Sequence, residues 1–165
     1  MSLEQKIDEY YAAGGAAVGD AGAAAAFLEL RAALEAGEVR AAEPDSTSPT
    51  GWRVNAWVKR GILLGFRLGQ LEDSGADLSF VDKNTFPPRR FVPEQGIRIV
   101  PGGSSVRAGA FLARGVVAMP PMYVNVGAWV DEGSLIDSHA LVGSCAQIGK
   151  RVHLSAAAQV GGVLE

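Results

Sequence analysis

Three side chains in the C-terminal half, Cys145, His139 and His153, are of types that carry acyl groups, metal ions or protons. A cysteine thiolate can form a covalent acyl intermediate when a neighbouring base activates it. No sequence feature near Cys145 supplies that base, so we interpret it as a bystander thiol on the outer face. A trimeric hydrolyase of the γ-carbonic-anhydrase type needs three histidine ligands for its zinc, and this chain has two histidines. We therefore expect no metal site, and we expect His153 at the surface.

Two aspartates, Asp131 and Asp137, occupy equivalent positions six residues apart. An ionised carboxylate can bind an ammonium group or take a proton from it. Aspartate also favours turns, because its side chain accepts hydrogen bonds from the nearby backbone. From position alone, a structural turn role is the better interpretation of both residues.

The composition gives the chain a substantial core and no charge pattern suited to nucleic acid. Its 165 residues are 48 % apolar and 20 % charged, with a formal net charge of −3. Phosphate binding needs clustered Lys and Arg, and a single cysteine excludes an internal disulfide. The charged N-terminus is unlike a signal peptide, and no stretch approaches the roughly 18 apolar residues of a membrane span. We expect a cytoplasmic protein that binds neither nucleic acid nor membranes.

Residues 1–68 are predicted to form a helical N-terminal domain, because the segment is rich in Ala, Glu and Leu. Helices are expected over Leu3–Ala13, over Ala21–Ala36 with Gly37 as a C-terminal cap, and from about Trp57 to Phe66. A polar loop should cover 43–51. Residues 69–99, with three prolines and no clear period, are predicted to form an irregular connector ending in a short strand at 97–100.

From residue 100 onward an aliphatic residue recurs every six positions, and ten of these eleven positions hold Val, Ile or Leu. The positions are Val100, Val106, Leu112, Ala118, Val124, Val130, Ile136, Val142, Ile148, Leu154 and Val160. A sustained six-residue period is the signature of a hexapeptide β-helix, a triangular prism in which three hexads make one coil. We therefore predict a β-helix over 100–165, with about three and a half coils stacked roughly 4.8 Å apart.

The other hexad positions agree with this prism. Four residues after each aliphatic the side chain is mostly small, and strand alternation turns both sets inward. Leu164 falls in that inward set. One residue after the aliphatic, Asn, Asp and Gly recur, and these residues tolerate left-handed backbone. We therefore place the left-handed corners at these positions, which include Asn125, Asp131 and Asp137.

The sequence stops at Glu165, inside a hexad and without a capping element. A solenoid that ends in this way exposes the edge of its last coil. We therefore expect the chain to be the N-terminal part of a longer protein.

The hexads contain specific sequence motifs as well as a six-residue period. Residues 124–165, which include VDEG and VGSCAQIGK, resemble tetrahydrodipicolinate N-succinyltransferases of bacterial lysine and diaminopimelate synthesis, as do LEAGEVRAAE, WVKRGILLGFRL, FVDK and GIRIVPGG upstream. The resemblance implies a left-handed β-helix after a helical domain, and a homotrimer with active sites between subunits. It also implies transfer of a succinyl group from succinyl-CoA, a cosubstrate, to the amine of L-2-amino-6-oxopimelate.

The same resemblance assigns residues. It reverses the preference for Asp137, which matches the family's substrate-binding aspartate and becomes the candidate catalytic residue, and Arg98 matches a substrate-binding arginine. Lys150 and Arg151, on an exposed corner, are candidate contacts for the CoA phosphates or ordinary solvated charges. The family's second catalytic carboxylate, a glutamate, falls beyond residue 165, so we expect these 165 residues alone to be inactive. His139 stands where the family often carries a tryptophan, a departure that changes the wall of the expected cleft.

Two alternatives stay open at this point. The prism could belong to a hexapeptide acyltransferase with a different acceptor, such as a sugar amine or a serine hydroxyl. It could also be a truncated, non-catalytic scaffold that only trimerises. Binding of succinyl-CoA distinguishes the scaffold from the enzymes.

Overall fold

The computed structural model describes residues 1–73 and 80–164. Glu165 and residues 74–79 of the expected connector lie outside that range. Three helices form the N-terminal region: α1 (Leu3–Ala12), α2 (Ala21–Ala36) and α3 (Ala56–Leu68). The three helices confirm those predicted from the sequence, and α3 ends two residues later than expected, at Leu68. Gly37 closes α2 in a left-handed conformation with φ 74°, as a C-terminal cap glycine does.

The helices pack around an apolar core. Ile7, Leu30 and Ile62 are almost fully buried there, one from each helix. Two short antiparallel hairpins accompany them: β1 (Ala42–Pro44) pairs with β2 (Trp52–Val54), and β3 (Leu71–Asp73) pairs with β4 (Val81–Lys83). The first hairpin encloses the predicted polar loop, whose first two residues belong to β1. The second adds two regular strands to the connector that was predicted to be irregular.

From Arg98 onward, two-residue strands stack into coils, which confirms the predicted β-solenoid. Every strand pairs in parallel with the strand 18 or 19 residues away, so one coil takes three strands. The three resulting faces are β5-β8-β11-β14, β6-β9-β12-β15 and β7-β10-β13. The strands are β5 (Arg98–Ile99), β6 (Ser105–Val106), β7 (Phe111–Leu112), β8 (Val117–Ala118), β9 (Tyr123–Val124), β10 (Trp129–Val130), β11 (Leu135–Ile136), β12 (Leu141–Val142), β13 (Gln147–Ile148), β14 (His153–Leu154) and β15 (Gln159–Val160).

The aliphatic positions form the expected columns inside the prism. Val124, Val142 and Val160 stand in register in one column, and Ala118, Ile136 and Leu154 in another. The small inward positions are buried as well, with Ala110, Val116 and Ser134 fully inaccessible to solvent. The inward set therefore fills the prism from Val106 to Ile148, and interior residues of the last coil are partly exposed. The inward prediction for Val100 was wrong, because Ile99 stands in register with Ala118 and takes that place.

The left-handed corners lie two residues later than predicted. They stand three residues after the aliphatic, at Gly109, Gly115, Gly127, Gly133, His139, Cys145, Arg151 and Ala157. The Asn and Asp residues expected there instead accept a backbone hydrogen bond from the next residue: Asn125 from Val126 at 2.7 Å and Asp131 from Glu132 at 2.8 Å. The prediction was wrong because these side chains stabilise the start of the turn as acceptors and do not themselves adopt left-handed backbone.

Replacing Ala157 by glycine should stabilise the protein. Ala157 is exposed and holds φ 61°, a conformation that costs an L-residue about 1–2 kcal/mol. Glycine removes that cost and adds roughly 0.5–1 kcal/mol of backbone entropy loss. We expect a net gain of about 0.5–1 kcal/mol in the free energy of unfolding, measured by chemical denaturation. Ala156→Gly, at an exposed neighbour with negative φ, should destabilise instead; equal signs for the two variants would contradict the corner assignment.

The helical region covers the face β7-β10-β13. The Arg40 guanidinium stacks on the Trp129 ring, 3.9 Å from its centroid, and donates two hydrogen bonds to Gln147 Oε1 at 3.0 and 3.1 Å. Trp129 in turn stacks on Phe111, with ring centroids 4.0 Å apart. Gly37 lies so close to Phe111 that a Cβ there would approach the ring to 2.6 Å. The helical region therefore occupies this face of the prism.

The chain leaves the hexad pattern after β15. Leu164, expected inside the prism, packs against the core of the helical region instead. The buried Ser144 hydroxyl accepts hydrogen bonds from the backbone N–H groups of Val163 and Leu164 at 3.1 and 2.9 Å. The segment crosses directly over Gly143, where a Cβ would lie 2.3 Å from the Gly162 nitrogen. The inward prediction for Leu164 was wrong because the buried hydroxyl holds this segment away from the next coil position.

Candidate functional site

The candidate site lies at the face β5-β8-β11-β14 and the corner that follows β11. Arg98 is exposed on the first strand of this face, and His153 is exposed on the last. Asp137 follows β11 directly, where the chain turns away from the face. The sequence-predicted substrate residues Arg98 and Asp137 thus border one face of the prism.

The Asp137 carboxylate is held at both oxygens. Its Oδ1 accepts the backbone N–H of Ser138 at 2.7 Å, and its Oδ2 lies 3.1 Å from His153 Nε2. These contacts, first the Ser138 N–H and then the imidazole, lower the pKa of the Asp137 carboxyl below its ordinary value. The carboxylate is therefore ionised at neutral pH while part of its surface stays open to solvent.

His153 makes a contact that sequence reasoning missed. It lies at the surface as expected, with 60 % of its side chain exposed, but it contacts the candidate catalytic carboxylate. The signal is in the coil length: Leu135 and His153 stand in register on β11 and β14, and Asp137 lies two residues along from Leu135 on the outer side. Because one coil takes 18 residues, the residue on the next coil above Leu135 is His153. Both side chains face outward beside Asp137.

Asp131 provides an internal comparison one hexad earlier. It makes the same turn contact with the next backbone N–H, at 2.8 Å. Its corner neighbours include Glu132, which forms an ion pair with Lys150 at 3.3 Å between two exposed side chains. Asp137 and Asp131 therefore share the turn role, and His153 distinguishes Asp137.

Lys150 and Arg151 occupy the corner that precedes β14. Lys150 is exposed and paired with Glu132, a contact worth little in water. Arg151 is one of the left-handed residues, with φ 53°, and its backbone N–H donates to the Glu132 carbonyl at 2.9 Å. Lys150 comes before strand β14 of this face, and Asp137 comes after strand β11 of the same face. The two residues therefore border the face from opposite sides.

Arg98 approaches this region from the base of the stack. Arg98 pairs in register with Val117, and Val117 with Leu135, so it lies two coils below the strand that leads into Asp137. At the strand spacing this is about 10 Å along the stack. The two groups do not contact each other, and a molecule that touched both would have to span that distance.

Cys145 lies outside the candidate site. It is a left-handed corner residue with φ 62°, buried in the same apolar cluster as Ile7 and Ile62 of the helices. The expected outer-face position is correct for the prism alone, but the helical region covers it. A buried thiol in this cluster acts as a small apolar group in the packing.

Among residues 1–73 and 80–164, no three His, Cys, Asp or Glu side chains come together as a set that could hold a metal ion. Within the same ranges, no helix is long and apolar enough to cross a membrane.

A helical region docked on a parallel solenoid with a six-residue repeat places the chain in the class of hexapeptide-repeat β-solenoid proteins. Residues 2–68 match the family model described as the N-terminal domain of tetrahydrodipicolinate N-succinyltransferase. This similarity confirms the resemblance predicted from the sequence motifs.

Curated relatives extend the similarity across the solenoid. The chain is 42 % identical over its whole length to the 2,3,4,5-tetrahydropyridine-2,6-dicarboxylate N-succinyltransferase of Sodalis glossinidius, of which it covers 61 %. It is 46 % identical to the protein of that name from Pasteurella multocida, over 88 % of this chain and 53 % of the relative. The protein of that name from Bradyrhizobium diazoefficiens is 45 % identical over 80 % of this chain and 48 % of its own length. The chain thus spans about half to three-fifths of these relatives.

Proposed function

We propose that the protein to which this chain belongs is an N-succinyltransferase of lysine and diaminopimelate biosynthesis. It would transfer the succinyl group of succinyl-CoA to the amine of L-2-amino-6-oxopimelate, the open form of tetrahydrodipicolinate. The observation that carries the proposal is the 42 % identity along the whole chain to a relative named for this reaction. The ionised, partly exposed carboxylate of Asp137 supports it, since an amine acceptor binds as an ammonium ion.

In this proposal Asp137 binds the acceptor nitrogen and accepts its proton. An aliphatic amine is mostly protonated at neutral pH, so the nucleophile needs a local acceptor for that proton. The freed amine attacks the thioester carbonyl directly in a ternary complex, and backbone N–H groups are the expected donors for the oxyanion. The C–S bond then breaks, and the CoA thiolate leaves without strong acid assistance.

The remaining groups follow from the same proposal. Arg98 would bind a carboxylate of the acceptor through its forked guanidinium. Lys150 and Arg151 are candidates for the CoA phosphates. The proposed assembly is a homotrimer of left-handed solenoids with active sites between subunits, and a glutamate beyond residue 165 would supply the second catalytic carboxylate.

Thiol release from succinyl-CoA tests the proposal. We would compare the 165-residue chain with the full-length product of the gene, with and without L-2-aminopimelate as acceptor analogue, and with acetyl-CoA as the control donor. Acceptor-dependent release by the full-length protein, with succinyl-CoA preferred, is the expected result. Release by neither form from a folded trimer would contradict the proposal, and release by the short chain would contradict the need for a later glutamate.

Arg98→Ala in the full-length protein should weaken binding of the acceptor but not binding of succinyl-CoA. Losing a charged hydrogen bond to a carboxylate costs about 1.5–3 kcal/mol, which corresponds to a rise in the acceptor KM of roughly tenfold to a hundredfold. The KM for succinyl-CoA should stay within about twofold. Arg53→Ala, which removes an exposed arginine from the β1–β2 hairpin, is the matched control. An unchanged acceptor KM in Arg98→Ala would remove this residue from the site.

A further inference from the structure

His153 and Asp137 form a pair that the turn geometry does not require. The turn at Asp131 is built in the same way, from an aspartate Oδ1 and the next backbone N–H, and it has no histidine contact. The contact of His153 Nε2 with Asp137 Oδ2, at 3.1 Å, comes from the next coil of the stack. It is therefore an addition at this one corner, and it fixes the oxygen that the Ser138 N–H leaves unheld.

The chemistry of the two groups determines which one donates the hydrogen bond. An ionised carboxylate can only accept hydrogen bonds, so His153 Nε2 must carry the proton and donate it. With one donor on each oxygen, the carboxylate cannot rotate about its last bond without breaking a contact. Each oxygen keeps a further acceptor site, and that outward part of the carboxylate is where an ammonium group can bind.

We propose that His153 is a positioning residue, which orients the Asp137 carboxylate towards the acceptor amine. This inference rests on the proposed function for its substrate. Asp137 contacts the amine, and His153 acts only through Asp137, because its shared nitrogen is already used in the donated bond. The pair also predicts a pH effect: the charged and hydrogen-bonding groups that act on Asp137 are the Ser138 N–H and His153, and removing the second raises the pKa of the Asp137 carboxyl.

Two variants of the full-length protein separate positioning from proton transfer. His153→Leu introduces an apolar side chain of similar size and removes the donor. His153→Gln keeps an N–H at nearly the place of Nε2 but cannot act as a base. We expect kcat/KM for the acceptor to fall about tenfold or more in His153→Leu, the usual cost of a lost hydrogen bond to a charged group. The acid limb of its pH profile should move to higher pH, and His153→Gln should restore both properties close to wild type.

The carboxyl ¹³C titration of Asp137 is read in parallel, since it does not depend on turnover. Its midpoint should lie higher in His153→Leu than in wild type, and near the wild-type value in His153→Gln. Equal midpoints and equal kcat/KM in wild type and His153→Leu would overturn the positioning role. A His153→Gln variant as impaired as His153→Leu would overturn it too, and would indicate that the imidazole itself carries a proton. If the wild-type protein releases no thiol with acceptor, the proposed function fails, and the titration still decides whether His153 controls Asp137.

Discussion

Asp137→Asn in the full-length protein should lower kcat about 10²- to 10⁴-fold, the usual contribution of a positioned acid–base group. The amide keeps an oxygen for the Ser138 N–H, which lies 2.7 Å from Oδ1, so the turn should survive. The substitution removes the negative charge that would bind an ammonium ion and accept its proton. Steady-state thiol release measures the loss, and thermal unfolding should show that the variant is folded.

Asp131→Asn is the matched control for this prediction. It makes the same chemical change at the equivalent corner, where the carboxylate also accepts the next backbone N–H. Its kcat should stay within about threefold of wild type, because Asp131 lacks the histidine contact of Asp137 and is not proposed to bind the substrate. Near-normal turnover in Asp137→Asn, or equal losses in both variants, would remove the special role of Asp137.

Ile136→Ala should lower the stability of the solenoid substantially. Ile136 is fully buried and stands in a column between Ala118 and Leu154. Truncating a buried isoleucine leaves a cavity that the coils above and below cannot close, at a cost of about 2–5 kcal/mol. Chemical denaturation should show this loss in the free energy of unfolding.

Ile136→Val provides the scale for that cavity. It removes one methylene from the same site and should cost about 0.5–1.5 kcal/mol. A truncation to alanine that costs no more than the truncation to valine would contradict the prediction, because it would mean that the neighbouring coils close the cavity.

The sequence predicted the solenoid well because its signal is repeated. The six-residue period has eleven positions, so a single alanine in place of a larger aliphatic residue, Ala118, leaves the period recognisable. The helices were predicted for a similar reason, from composition and a clear cap at Gly37. Periodicity could not locate the left-handed corners, because the Asn and Asp residues that mark a turn act there as side-chain acceptors. It also could not show that the chain leaves the prism at Leu164, which depends on one buried hydroxyl at Ser144.

The candidate site was only half accessible from sequence. Asp137 and Arg98 were identified through resemblance, and the structure places them at one face without contact between them. The Asp137–His153 contact joins neighbouring coils, so it depends on the coil length and on which side of the strand each residue faces. Burial of Cys145 required knowing which prism face the helices cover. Local patterns carry no information on that docking.

Isotope transfer tests the central claim most directly. The full-length protein would be incubated with succinyl-CoA carrying ¹³C in the succinyl group and with L-2-aminopimelate, and the products would be separated and read by NMR and mass spectrometry. We expect labelled succinyl in an amide bond to the acceptor nitrogen, with free CoA formed in equal amount. Labelled free succinate without any amide, or no consumption of succinyl-CoA by a folded protein, would contradict it.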